Sequence, residues 1–313
     1  MRVFVTGANG FIGTALCQHL ANRGACVHGL VRADLPDEVG VVYHSGALED
    51  RALLLSCLVG VDCLVHLAGR AHVMREGGES LTAFRAVNRD ATLSLARIAQ
   101  EAGVKRFVFV SSIGVNGAET FAKPFDEYSE PEPHADYALS KLEAEQGLKS
   151  LLAGSGTELV IIRPPLVYGI DAPGNFARLL KLVATGLPLP LRGVDNRRSI
   201  ISLENLVGFI SLCIEHPAAA EQLFLVSDGK DISTAEMVRA LALGMDKRPL
   251  MLPAPDALLK LGARLLGKES IYTQLYRSLQ VESSKARRLL GWQPEENTLE
   301  ALEKVGRLYI SQR

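Results

Sequence analysis

The sequence predicts an α/β protein built on a doubly wound parallel sheet, with a smaller α/β lobe formed by the C-terminal part of the chain. Short apolar runs that suit buried strands alternate with stretches of helical periodicity through the first half of the chain. The first run passes directly into a glycine-rich turn. Beyond residue 170 the alternation is less regular. We therefore predict one domain over residues 1–170 and a second lobe over 171–313, with some chain returning to the first domain.

The predicted strands of the first domain are apolar runs that end at small or polar residues. They cover residues 3–6, 26–31, 41–44, 61–69, 106–110 and 158–163. The predicted helices begin after Gly13 and cover about 50–58, 81–102 and 137–152. Regular alternation of this kind indicates right-handed crossovers between parallel strands.

The C-terminal part contains fewer strand signals. Helical patterns cover residues 175–185, 203–215, 233–243 and 298–310, and one strand is predicted over 223–226. Prolines and a glycine break the pattern over 186–191, and residues 251–255 read as a proline-bounded loop. We expect this region to form the smaller lobe.

The turn after the first strand carries three glycines, Gly7, Gly10 and Gly13, spaced three apart. Glycine lets the backbone approach a phosphate closely, and the start of the next helix supplies unpaired N–H groups and partial positive charge. The spacing differs from the commoner Gly-x-Gly-x-x-Gly, and an ordinary βα turn is the alternative. The arrangement favours a Rossmann-type dinucleotide site.

The end of the second strand is where such a fold distinguishes its cofactors. An acidic residue there binds the adenosine ribose, whereas an arginine accommodates a 2′-phosphate. Arg32 therefore favours NADP(H), while Asp34 keeps NAD(H) possible. A solvated loop charge is the alternative for Arg32.

Composition and charge narrow the function classes. The net charge of −1 gives no reason to expect nucleic acid or an anionic membrane as a partner, so any basic site must be local. No apolar run approaches the roughly 20 residues that span a bilayer. The five scattered cysteines indicate apolar core positions in a reducing compartment, and no signal peptide precedes the first strand, so we expect a cytoplasmic protein. His72, His134 and His216 lie near no pattern that suggests a metal.

Tyr137 and Lys141 are four residues apart at the start of a predicted helix and so share one face. Ser112 ends a strand, at the sheet edge where open α/β sheets bind ligands. An ammonium group beside the phenol should lower the pKa of the tyrosine and allow it to exchange a proton with a substrate oxygen. The serine hydroxyl would hold that oxygen. A surface Tyr–Lys pair is the alternative.

Taken together, these motifs resemble the extended short-chain dehydrogenase/reductase family, in its nucleotide-sugar epimerase/dehydratase branch. The resemblance covers nearly the whole chain. Further similar stretches are His66–Ala68, Val87-Asn88, residues 104–108, Val167–Gly169 and residues 290–294.

The resemblance implies Ser112, Tyr137 and Lys141 as the catalytic residues. It implies a cofactor site formed by Gly7, Asn9, Gly10, Phe11, Ile12, Gly13, Arg32, Leu48, Leu67, Ala68, Gly69, Val110, Tyr137, Lys141, Pro164 and Val167. It implies substrate contacts from Ser111, Ser112, Asn175, Arg192 and Arg198. Arginine suits a sugar-linked diphosphate because its planar fork forms paired, charge-assisted bonds. Solvated surface charge is the alternative for Arg197 and Arg198.

Two departures from the family pattern affect the expected reaction. Ala47 stands where many members have an aspartate near the adenine, and Leu166 stands where many sugar epimerases have an asparagine that contacts the diphosphate. The residues after Ser112 lack the acidic pair that dehydratases use, so dehydration is not expected.

The favoured expectation is NADP(H)-linked reduction at C4 of a UDP-4-keto-6-deoxy-N-acetylhexosamine, in the synthesis of surface polysaccharides such as lipopolysaccharide. The alternative is 4-epimerisation of a UDP-sugar with retained NAD. A third possibility is a relative that senses cofactor without catalysis, against which the three catalytic-type residues argue. The resemblance also suggests a homodimer that pairs through the helix of Tyr137.

Overall fold

A computed structural model of the protein describes residues 1–70 and 81–312. It contains a sheet of seven parallel strands, in the order β10 (Gln222–Leu225), β6 (Glu158–Arg163), β5 (Arg106–Val110), β4 (Cys63–His66), β1 (Arg2–Thr6), β2 (Cys26–Val31) and β3 (Val41–Ser45). The order reverses direction between β1 and β4, which makes the sheet doubly wound. The predicted fold class is confirmed.

The sheet strands and the helices between them follow the sequence pattern closely. The strands are β1 (Arg2–Thr6), β2 (Cys26–Val31), β3 (Val41–Ser45), β4 (Cys63–His66), β5 (Arg106–Val110), β6 (Glu158–Arg163) and β10 (Gln222–Leu225). The helices of the first half are α1 (Phe11–Asn22), α2 (Arg51–Leu58), α3 (Leu81–Arg85), α4 (Thr92–Glu101) and α5 (Asp136–Leu152). His72 lies outside the described residues.

The predicted helix over residues 81–102 is interrupted. A π-helical segment, Ala86–Ala91, joins α3 to α4 and holds Asn88 in the interior. Such a segment places one extra residue in a helical turn, and it often occurs near functional sites.

The second half carries short strands that the sequence analysis did not predict. The remaining elements are β7 (Leu166–Tyr168), α6 (Asn175–Thr185), β8 (Leu189–Arg192), β9 (Ile200–Ser202), α7 (Leu203–Glu215), α8 (Thr234–Gly244), β11 (Met251–Pro253), α9 (Asp256–Leu265), α10 (Glu269–Tyr276), α11 (Ser284–Leu290) and α12 (Thr298–Ser311). β8 pairs with β11 and β7 with β9, each in parallel. The segments predicted as a helix break and a proline-bounded loop thus pair with each other, and β10 joins the large sheet.

The core divides at the sheet because successive side chains of a strand point to opposite faces. Val3 and Val5 of β1 pack in one cluster with Leu16 of α1 and Phe209 of α7. The side chain between them, Phe4, packs in a second cluster on the other face, with residues of α2, α4 and α5. Full burial of an aliphatic or aromatic side chain contributes about 1.5–3 kcal/mol each. Helices therefore cover both faces of the sheet, as near-continuous apolar strands require.

A buried ion pair ties α5 to β6. Arg163 Nε donates to Glu145 Oε1 at 2.9 Å and Arg163 Nη2 to Glu145 Oε2 at 2.5 Å. Arg163 Nη1 also donates to Asn116 Oδ1 at 2.9 Å. The paired geometry satisfies both charges away from water and fixes α5 against the sheet.

Two of the remaining expectations concern cysteines and membranes. Cys17, Cys63 and Cys213 are buried as expected, but Cys26 is exposed because it opens β2 at the surface. Across residues 1–70 and 81–312, no helix combines the length and the apolar character needed to cross a bilayer.

Candidate active site

A cavity of about 790 Å³ opens at the carboxyl ends of β1, β4 and β5, where ligands bind in doubly wound sheets. Its size falls within the range of small-molecule and cofactor sites. One side, which we call the sheet side, is formed by the glycine turn, the ends of the strands and the start of α5. The opposite side, which we call the outer wall, is formed by Pro173, Asn175, Phe176, Leu179, Arg198, Thr234, Met237, Glu269, Ser270, Thr273, Gln274, Leu275 and Leu279.

The glycine turn is shaped by two positions that admit no side chain. Gly7 has a φ of +68°, in the left-handed region, and a Cβ there would lie 2.9 Å from the amide nitrogen of Ala68. A Cβ on Gly13 would lie 2.1 Å from the carbonyl oxygen of Gly7. The turn and the start of α1 therefore lie closer to each other than a side chain at Gly7 or Gly13 would allow.

The turn fits the diphosphate of a dinucleotide. Gly10 is the N-cap of α1 and has no side chain with which to cap the free N–H groups of the first turn. The first turn carries no acidic residue, and Gly10, Phe11, Ile12 and Gly13 all line the cavity. This helix end thus offers N–H donors and partial positive charge to an anion.

Tyr137 and Lys141 line the cavity from the first turns of α5. The ring of Tyr137 packs against the edge of Phe84, with 6.3 Å between ring centroids. Lys141 is buried, and its Nζ donates to the carbonyl oxygen of Val110 at 2.9 Å and lies 4.4 Å from the ring centroid of Phe109. The two side chains reach the same cavity that the glycine turn borders.

The expected effect of Lys141 on Tyr137 is wrong for this structure. Burial raises the pKa of the Tyr137 phenol to about 12, and Lys141 does not offset it, since its ammonium group is turned to the end of β5. Burial also lowers the pKa of Lys141 to about 8, against the opposing influence of the Glu145 carboxylate. In this state Tyr137 is a proton donor rather than a phenolate at neutral pH.

Two adjacent serines face the cavity after β5. Ser112 Oγ accepts a hydrogen bond from the amide of Gly114 at 3.1 Å, which leaves its own proton available for an acceptor in the cavity. Ser111 Oγ is buried and has no partner among the described residues. An unsatisfied buried hydroxyl costs about 1–3 kcal/mol, so a ligand oxygen at this point would be stabilising.

Asn88 connects the loop after β4 to the helix of Tyr137. Its Oδ1 accepts from the amide of Arg70 at 2.8 Å, and its Nδ2 donates to the carbonyl oxygen of Arg70 and to Ser140 Oγ. Ser140 Oγ in turn donates to the carbonyl oxygen of Tyr137 at 2.7 Å. The π-helical segment places Asn88 where it can bond both partners.

A buried chain of hydrogen bonds continues from Asn88 to the glycine turn. Thr92 Oγ1 donates to the carbonyl oxygen of Asn88, so it accepts from Nε2 of His66 at 2.8 Å. Nδ1 of His66 is then left to accept from Thr6 Oγ1 at 2.7 Å. Burial lowers the pKa of His66 to about 3, which keeps the ring neutral and this pattern intact.

The outer wall carries the predicted substrate contacts only in part. Asn175 lines the cavity and its Nδ2 donates to Gln274 Oε1 at 2.5 Å, which joins α6 to α10. Arg198 also lines the cavity, is buried and donates to the carbonyl oxygen of Arg277 at 2.9 Å. Arg192 ends β8, is exposed and does not line the cavity. Its expected role as a substrate contact therefore lacks a structural basis, because β8 pairs with β11 away from the sheet edge.

The other expected site residues fall into two groups. Those that line the cavity are Gly7, Gly10, Phe11, Ile12, Gly13, Leu67, Gly69, Val110, Ser111, Ser112, Tyr137, Lys141, Pro164, Val167, Asn175 and Arg198. Those that do not are Asn9, Arg32, Leu48, Ala68 and Arg192. Arg32 is exposed just beyond β2, and Leu48 is half-buried in the loop after β3. The assignments of Asn9, Arg32, Leu48 and Ala68 to the cofactor site remain predictions.

Sequence reasoning missed the contribution of α10 and the polar chain through His66. Glu269, Ser270, Thr273 and Gln274 line the cavity, as does His134. No motif identifies α10, since its residues are close to one another but match no known spacing. His66 had a signal, because a histidine within a continuous apolar strand needs buried partners.

Comparisons with known proteins agree with this geometry. The model of the NAD dependent epimerase/dehydratase family matches residues 3–226. A UDP-glucose 4-epimerase of Vibrio cholerae is 42% identical over 312 residues, covering 98% of this chain and 95% of that protein. The N-acetyl-alpha-D-glucosaminyl-diphospho-ditrans,octacis-undecaprenol 4-epimerase of Escherichia coli O157:H7 is 28% identical, covering 82% of this chain and 77% of that one.

Among solved structures, a short-chain dehydrogenase/reductase superfamily protein of Agrobacterium tumefaciens with bound NAD superposes with a TM-score of 0.79. The two chains are 22% identical, and each is covered over 100% of its length. At this identity the likeness shows the fold alone. The glycine turn, the Tyr137 helix and the family match lead to one conclusion: the chain belongs to the NAD-dependent epimerase/dehydratase family, an enzyme family of the short-chain dehydrogenase/reductase type.

Proposed function

We propose that the protein is a nucleotide-sugar 4-epimerase that acts on a UDP-sugar and retains its NAD. The observation that carries the proposal is the convergence of Tyr137, Lys141 and Ser112 on the cavity bordered by the glycine turn. A nicotinamide bound there supplies the acceptor and donor of hydride at C4 of the sugar. The relative from Vibrio cholerae, 42% identical, is itself a UDP-glucose 4-epimerase, which supports the sugar class.

The residues of the chain have separable tasks in this reaction. Ser112 would donate its free proton to the C4 oxygen and hold it. Tyr137 would exchange a proton with the same oxygen. Lys141 would bind the ribose of the cofactor and keep its positive charge near the phenol. Because burial raises the pKa of the phenol to about 12 in this structure, positive charge close to its hydroxyl would favour proton removal by Tyr137.

The second candidate is reduction of a UDP-4-keto-6-deoxy-N-acetylhexosamine with NADPH. Two observations favour it. Arg32 is exposed directly beyond β2, where an arginine can accept the 2′-phosphate of NADP. Leu166, in place of the asparagine common in sugar epimerases, lines the cavity with an apolar side chain.

One experiment separates the two candidates. The purified protein is incubated with UDP-glucose, UDP-N-acetylglucosamine or a UDP-4-keto-6-deoxy-N-acetylhexosamine, each with NAD⁺ or NADPH. Epimerisation gives the C4 epimer by NMR with no net consumption of cofactor. Reduction consumes NADPH in equal amount to product and leaves the first two sugars unchanged. If no mixture loses substrate or cofactor, both candidates are contradicted.

A further inference from the structure

Helix α9 presents an apolar stripe to solvent. Leu258, Leu261 and Leu265 are 64%, 54% and 77% exposed. Their spacing of three and four residues places them along one side of the helix, and Leu266 beside them is 72% exposed. No residue of α9 is buried. A surface helix of a globular protein normally turns such a stripe to the core, so this one is suited to a partner.

The same segment concentrates positive charge. From residue 256 to 268, which is α9 and the turn after it, the sequence has three basic residues and one acidic residue, although the whole chain has a net charge of −1. Arg248, Lys260, Arg264 and Lys268 are exposed. The single acid, Asp256, accepts from the hydroxyl of Tyr272 at 2.5 Å and lies 3.7 Å from the guanidinium of Arg277, so its charge is directed to α10.

We propose that α9 binds the surface of a bilayer that contains anionic lipids. The leucine stripe would lie at the boundary of head groups and acyl chains, with the exposed basic residues on the lipid phosphates. A second copy of the chain is a poorer occupant, because a symmetric contact would bring the same basic residues of both copies together. The helix lies on the surface and does not cross the membrane.

The position of α9 gives this contact a functional consequence. Only three residues, 266–268, separate α9 from α10, and α10 supplies Glu269, Ser270, Thr273 and Gln274 to the outer wall of the cavity. Binding of α9 to a bilayer therefore holds one wall of the cavity next to the lipid surface. The contact does not depend on which sugar the enzyme converts.

Vesicle co-sedimentation tests the proposal with the full chain and no substrate. We expect the protein to bind vesicles of mixed phosphatidylglycerol and phosphatidylcholine, and not vesicles of phosphatidylcholine alone. A triple substitution of the stripe, Leu258→Gln with Leu261→Gln and Leu265→Gln, should reduce the partition coefficient about tenfold or more. A charge variant, Lys260→Gln with Arg264→Gln and Lys268→Gln, should do the same, and added salt should weaken binding of the wild type.

The matched control replaces two exposed apolar residues of α12, Leu308→Gln with Ile310→Gln, which are 40% and 41% exposed. It should bind vesicles as the wild type does. Circular dichroism establishes that each variant is folded. Equal binding of the stripe variant and the wild type would overturn the proposal. So would absence of vesicle binding by the wild type. If sedimentation velocity then shows a dimer that the stripe variant dissociates, α9 is instead a contact between copies of this chain.

Discussion

The two sides of the cavity are built differently. On the sheet side, Thr6, His66 and Asn88 belong to one buried chain of hydrogen bonds that runs from the glycine turn to the backbone of Tyr137. On the outer wall, Asn175 and Gln274 are joined to each other by their side chains at an exposed position. The sheet side is thus held in one geometry by a buried polar chain, whereas the contact that joins α6 to α10 on the outer wall lies at the surface.

This difference indicates a division of tasks. Proton transfer requires atoms held within hydrogen-bond distance of the substrate, and buried networks provide that precision. Substrate recognition needs less precision, and side chains that rearrange can contribute to it. We therefore expect substitutions on the sheet side to change the rate or the cofactor affinity, and substitutions on the outer wall to change substrate affinity.

The largest expected effect is that of Tyr137→Phe. Removal of the hydroxyl eliminates the proton donor on the sheet side and should lower kcat about 10²–10⁴-fold with little change in KM. Steady-state kinetics on the sugar identified as substrate measures it. The control is Tyr128→Phe, at a side chain that is 89% exposed and does not line the cavity. An unchanged kcat in Tyr137→Phe would place the proton donor elsewhere.

The comparison of two arginines tests the outer wall. Arg198→Gln should raise KM by about 10–100-fold with a smaller change in kcat, because hydrogen bonds to charged groups contribute about 1.5–3 kcal/mol. Arg192→Gln should leave both constants unchanged, since Arg192 is exposed and lies outside the cavity lining. Thermal unfolding of both variants measures any loss of stability from breaking the bond between Arg198 and the Arg277 carbonyl. If the two substitutions change KM equally, the outer wall has no special part in substrate binding.

Gly13→Ala tests the fit of the cofactor to the sheet side. The added methyl would lie 2.1 Å from the carbonyl oxygen of Gly7, so the turn must shift at a cost of about 1–3 kcal/mol. We expect a similar loss of NAD affinity in a fluorescence titration. Gly156→Ala is the matched control, because a Cβ there meets nothing within 4 Å. Full affinity in Gly13→Ala would show that the cofactor does not need the tight turn.

The smallest effect concerns pH and the buried chain of the sheet side. Unfolded histidine takes up a proton below its ordinary pKa of 6.5, whereas His66 in the folded protein stays neutral down to about 3. The unfolded state therefore binds more protons in this window, and the free energy of unfolding falls as the pH is lowered through it. The slope contributed by this residue is at most about 1.4 kcal/mol per pH unit.

Urea unfolding at several pH values measures that slope. We expect His66→Gln to reduce it, and His134→Gln, at an exposed histidine, to leave it as in the wild type. If His66→Gln unfolds with the same pH dependence as the wild type, another group causes the acid sensitivity.

The sequence predicted the sheet side better than the outer wall, for a physical reason. Buried strands and amphipathic helices impose periodic patterns, and the glycine turn and the Tyr137–Lys141 pair have fixed spacings that can be recognised in the chain. The outer wall brings together residues as distant as Asn175 and Gln274, which share no spacing. β8 and β11 were missed because each has only three or four residues and contains a proline, which argues against a strand.

The charge state of Tyr137 was also beyond the sequence. Spacing placed Lys141 on the same face, but the direction of its Nζ depends on the carbonyl of Val110, which another strand supplies. Burial then determines the pKa of the phenol. Residue types and their spacing indicate which groups meet, and only the packing decides which interaction dominates.

The π-helical segment Ala86–Ala91 has a consequence for how insertions and deletions would act on this chain. Deleting one residue within it would restore a regular helix but rotate α3 by about 100° relative to α4. Phe84 would then turn away from the ring of Tyr137, although no residue of α5 had changed. The number of residues in this stretch therefore determines the geometry beside Tyr137 as much as their identity does.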